Sequence, residues 1–90
     1  CNSFIREALE EIKKFENGSQ NRQDTAWNIV GIAIKLKLFD LIQAEKVPQV
    51  IKNIVDLASD LEVPDDVYEG DVNEDMKKLI SLVKNYSEIS

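Results

Sequence analysis

Seven carboxylates fall between Glu62 and Asp75 with no Lys or Arg among them: Glu62, Asp65, Asp66, Glu69, Asp71, Glu74 and Asp75. Carboxylates gathered this closely can hold a calcium ion, exchange protons in acid–base catalysis, or present a negative surface to a basic partner. Calcium fails on spacing. With Gly70 at the invariant sixth position of an EF-hand loop, Asp65 and Glu69 fall on liganding positions, but Val67 occupies one that needs an oxygen and Met76 stands in place of the bidentate glutamate. Acid–base chemistry fails on surroundings, because this stretch has too few apolar neighbours to raise a carboxyl pKa. What remains is a surface for a basic partner, or plain solvated charge on a loop.

The rest of the chain adds no catalytic group. It has no histidine, so a Ser or Cys nucleophile would lack its usual base, and it has neither a glycine-rich phosphate cradle nor a Gly-x-Ser-x-Gly elbow. We expect no enzymatic activity, no cofactor and no metal. Cys1 is the single cysteine, which excludes an internal disulfide. A reducing, cytoplasmic setting is the simpler reading; the alternative is a lipid anchor on Cys1, as in a bacterial lipoprotein. No apolar run is long enough to span a bilayer.

The formal charge is −6 over 90 residues. Outside the acidic stretch ten acids face eleven Lys and Arg, so the negative charge is local to it. Such a field repels nucleic acid and anionic membranes and attracts basic proteins. Within the stretch, Glu74 and Asp75 also suit the first turn of a helix. Asp65, Asp66 and Glu69 around Tyr68 have no such explanation; Tyr68 is either a lid folded back on the helices or an aromatic anchor ringed by carboxylates.

The elements that position this stretch read as four helices in a single all-α domain, either a compact bundle or an orthogonal array. Helix 1 runs from about Ser3 to Phe15 with Phe4, Ile5, Ala8, Leu9, Ile12 and Phe15 on one face, and stops at Asn17-Gly18. Asp24 or Thr25 caps helix 2, which extends to about Gln43. The alternation of Ile32, Ile34, Leu36 and Leu38 also fits a strand, but length and the lack of a second strand favour helix. Helix 2 carries two opposed apolar faces: Trp27, Val30, Ile34, Leu38, Leu41 and Ile42, with Gly31 among them, and Ile29, Ile32, Leu36 and Phe39. Trp27 belongs to the longer face and is expected in the core. Helix 2 is then either the central helix, or it buries the Ile29, Ile32, Leu36 and Phe39 face in a partner.

Helix 3 opens at Pro48, turns Val50, Ile51, Ile54, Val55, Leu57, Ala58 and Leu61 inward, and ends by Val63-Pro64. Helix 4 starts near Asp71 with Glu74 in a capping-box-like pair, carries Val72, Met76, Leu79, Ile80, Val83 and Tyr86 on its inner face, and frays at its end.

The C-terminal half, Ile54-Val55-Asp56-Leu57-Ala58-Ser59-Asp60-Leu61, then Pro64-Asp65-Asp66 with Tyr68 and Asp71, then Asp75-Met76-Lys77-Lys78-Leu79-Ile80, resembles the colicin D type of bacterial toxin immunity protein. Helix 2 departs from that pattern in being far more apolar. The resemblance implies a cytoplasmic inhibitor that plugs the basic cleft of a toxin nuclease, with the acids imitating RNA phosphates. Asp65, Asp66, Tyr68, Glu69, Asp71, Glu74 and Asp75 are the implied contacts. Two other readings stay open: a monomeric or homodimeric interaction module using the apolar back of helix 2, and a lipid-anchored bacterial surface or periplasmic protein.

Overall fold

The computed structural model describes residues 2–38, 48–65 and 73–89. They form four helices, α1 (Asn2–Glu16), α2 (Arg22–Leu38), α3 (Gln49–Ser59) and α4 (Glu74–Ile89), with no strand among the described residues. The domain is all-α, and the alternating apolar residues 32–38 are helical. The helices pack in ring order: α2 lies against α1 and α3, and α4 against the same two. Helix 2 therefore takes one corner of the ring.

Three helices bury the faces that their spacing predicts. Phe4, Ile5, Ala8 and Ile12 of α1, Ile51, Ile54, Val55 and Ala58 of α3, and Met76, Leu79 and Val83 of α4 make one continuous core. Leu9, Leu57, Ile80 and Tyr86 pack half-buried against it, and Leu61 is buried just past the end of α3. Val50, expected inward, is instead 42% exposed, because it lies in the first turn of α3. Val72 lies outside the described residues.

The sequence stop signal for α1 forms as a Schellman turn. Gly18 adopts a φ of 83°, the left-handed region that a Cβ disfavours. Its N–H donates to the Phe15 carbonyl at 3.2 Å and the Ser19 N–H to the Lys14 carbonyl at 3.0 Å.

The starts of α2 and α4 differ from expectation in the same way, since an asparagine provides the cap where Asp24 or Thr25, and Asp71, were expected. The Asp24 N–H donates to Asn21 Oδ1 at 2.7 Å, so α2 begins at Arg22, and Thr25 is a fully buried residue whose hydroxyl donates to the Asn21 carbonyl at 2.8 Å. In α4 the Met76 N–H donates to Asn73 Oδ1 at 2.8 Å, which makes Asn73 the cap and places Glu74 and Asp75 in the first turn. Helix 3 begins one residue after Pro48, which serves as its cap without a side-chain bond. At the C-terminus α4 stays helical to Ile89.

The largest departure is in α2. Ala26, Ile29 and Ala33 are fully buried and Ile32 and Leu36 are half-buried against the core, whereas Trp27 is 69% exposed, Leu38 75% and Ile34 41%. Trp27 is thus not a core residue. Ile29, proposed for a second interface, is in the core, and Phe39, Leu41 and Ile42 lie outside the described residues. The physical reason is closeness of approach. A corner helix touching two neighbours packs through small side chains beside one branched one, and Ala26 and Ala33 flanking Ile29 supply that surface. A bulky Trp27 face would hold α2 away from α1 and α3.

Gly31 sits in the middle of α2, and a Cβ there would meet nothing within 4 Å. Gly31→Ala should therefore raise stability by about 0.5–1 kcal/mol through helix propensity. Urea denaturation at low protein concentration checks it; a lower midpoint would mean that the position is crowded.

Candidate partner-binding surfaces

The acidic stretch joins α3 to α4. Glu62, Asp65, Glu74 and Asp75 are all exposed, while Asp66, Tyr68, Glu69 and Asp71 lie outside the described residues. Both ends of the stretch are tied to the fold. Gln23 Nε2 of α2 donates to the Pro64 carbonyl at 2.9 Å, and Asn73 Nδ2 donates to the Glu62 carbonyl at 3.4 Å. The second bond links the start of the stretch to the cap of α4, so Glu62, Asp65, Glu74 and Asp75 belong to one edge of the molecule. Lys77 lies 3.7 Å from Glu74, an exposed pair that barely offsets the local charge. Glu74 and Asp75 also favour the N-terminal end of α4 electrostatically.

The second surface is the outward side of α2. Trp27, Ile34 and Leu38 line up at seven- and four-residue steps, with Gly31 between them. Beside this stripe lies an open groove of about 410 Å³ between α1 and α2, lined by Glu11, Lys14, Trp27, Asn28, Gly31, Ile32 and Lys35.

Glu11 was absent from the sequence reading. It is only 8% exposed. Burial raises its pKa, but hydrogen bonds from Asn28, Gln20 and Lys14, together with the Lys14 charge, outweigh burial and hold the carboxyl below its ordinary value. Asn28 Nδ2 donates to Oε1 at 2.7 Å, Gln20 Nε2 to the same oxygen at 3.2 Å, and Lys14 Nζ to Oε2 at 3.2 Å. Gln20 Nε2 also lies 3.0 Å from the Thr25 hydroxyl, so the network fastens α1, its turn and α2 together. A signal for it exists in the sequence: Glu11 falls three residues after Ala8 and one before Ile12, on the face that enters the core. A carboxylate already saturated by amide and ammonium donors is a structural acceptor rather than a poised acid.

No group of His, Cys, Asp or Glu among the described residues is arranged to hold a metal ion, and no described helix is long and apolar enough to cross a membrane. The class that the fold defines is an all-α four-helix domain. No protein-family model, curated protein or solved structure matches the chain.

Proposed function

We propose that this protein is a partner-binding domain of the immunity type, which inhibits a basic toxin nuclease in the cytoplasm through its acidic stretch. The observation that carries the reading is the segregation of charge. Seven acids without a base lie between Glu62 and Asp75 in a chain otherwise close to neutral, and the four that are described all face solvent. A one-signed patch on a compact domain accelerates encounter with a basic cleft and loses that advantage as salt rises. The resemblance of the C-terminal half to colicin D immunity proteins gives the partner its chemistry: a nuclease whose cleft binds RNA phosphates. In this reading the protein binds and occludes, and catalyses nothing.

The test begins at the neighbouring gene, where this reading expects a toxin with a basic nuclease domain, and uses that domain as the partner. Replacing Asp65, Asp66 and Glu69 together with serine should weaken inhibition at least about tenfold and flatten its salt dependence, as expected when close interfacial charges are lost. Inhibition that is unchanged in strength and in salt response overturns the proposal.

A further inference from the structure

We propose that the exposed stripe of α2 is a self-association surface, on which a second copy of this chain docks antiparallel through the same stripe. Three observations converge on that occupant. First, Trp27, Ile34 and Leu38, three of the four large apolar side chains exposed among the described residues, lie on one line of one helix, and single scattered exposure would not align them. Second, Gly31 lies at the middle of the line. Nothing inside the molecule needs a glycine there, since a Cβ would touch nothing within 4 Å, and glycine weakens a helix interior. A backbone approaching from outside does use the missing side chain.

The third observation is charge, and it selects a second copy over another partner. Asp24 and Lys35 are exposed on the same flank of the stripe, about 20° apart at the helical turn of about 100° per residue. Asp24 stands toward the N-terminal end and Lys35 toward the C-terminal end. A parallel copy, related by a two-fold axis along the helices, would put the two flanks on opposite sides of the interface and leave Asp24 and Lys35 without each other as partners. A copy related by a two-fold axis through the Gly31 region keeps each flank on its own side and reverses its direction, so Asp24 meets Lys35 of the second copy, twice. Lys35 of the second copy also approaches the Trp27 indole. This surface is separate from the nuclease-binding edge proposed above and stands without it.

Sedimentation velocity of the full chain tests the pairing. Wild type should form a reversible dimer at or below about 100 µM, and Leu38→Asp, at an exposed position that leaves the fold intact, should raise the dissociation constant at least about tenfold. Asp24→Lys and Lys35→Glu should each weaken the dimer by a similar factor. An equimolar mixture of those two variants should restore it, because both cross-pairs become opposite in sign again. Circular dichroism confirms that each variant remains helical. A wild type that stays monomeric, a dimer indifferent to Leu38→Asp, or a mixture that fails to recover overturns the proposal; stoichiometric capture of a different protein by the stripe, in place of self-pairing, overturns it as well.

Discussion

Ile29→Ala should destabilise the domain by roughly 2–5 kcal/mol, a large part of the stability of any chain this short. Trp27→Ala, which removes a much larger side chain two residues away, should cost under about 1 kcal/mol. The contrast follows from position on α2. Ile29 is fully buried between Ala26 and Ala33, so truncation leaves a cavity that the flanking alanines are too small to fill, whereas Trp27 is 69% exposed and leaves no cavity. Urea denaturation of both variants at low protein concentration gives the two values. Trp27 is also the single tryptophan, so its fluorescence reports the same fact directly. In dilute solution, where the chain is monomeric, it should emit as a solvated indole and be quenched freely by acrylamide. A shielded, blue-shifted emission with a Trp27→Ala cost equal to that of Ile29→Ala would mean that α2 is rotated to its other face.

The second large effect concerns Glu11. Glu11→Ala should lower stability by about 1–3 kcal/mol at neutral pH, because it removes the common acceptor of the exposed Asn28 and half-buried Gln20 amides that joins α1 to α2. Its ionisation also ties stability to pH. The folded pKa is depressed, so the contribution is fully present above the unfolded glutamate value of about 4.3 and is lost as pH falls through the lower folded value. Glu11→Gln keeps the shape and removes the charge. The stability gap between wild type and Glu11→Gln should therefore be constant from neutral pH down to about pH 5 and close in more acid solution. A gap that persists unchanged into strong acid would show that the carboxylate charge does not stabilise the corner of α1 and α2.

Helices α1, α3 and α4 were legible because each has a polar side that leaves one possible inner face. Arg6, Glu10, Lys13 and Lys14 mark the outside of α1, and Lys77, Lys78 and Ser81 do so for α4. The stop at Gly18 was equally plain, since few residues tolerate a positive φ. Helix boundaries were less so: Asn21 stands three residues before Asp24 and Asn73 two after Asp71, and all four are good caps by type. Only the path of the incoming chain chooses among them.

Of the candidate contacts, the sequence placed the acidic charge between the third and fourth helices, and Glu62, Asp65, Glu74 and Asp75 are indeed on the surface there. The apolar surface was misassigned. Helix 2 has apolar residues almost evenly around it, so its amphipathicity points nowhere, and choosing the longer of its two apolar faces put Trp27 in the core.

The sequence by itself determined that this is a four-helix, all-α chain, which faces of three helices turn inward, and where its negative charge is concentrated. Helical periodicity and charge count are local properties, and neighbours in sequence are enough to specify them. Only the tertiary structure decided which side of α2 enters the core and that Glu11 is buried with its donors. Both depend on how closely α2 can approach α1 and α3, a distance set by Ala26 and Ala33 meeting residues remote in the chain. The same choice left Trp27 and Gly31 facing outward.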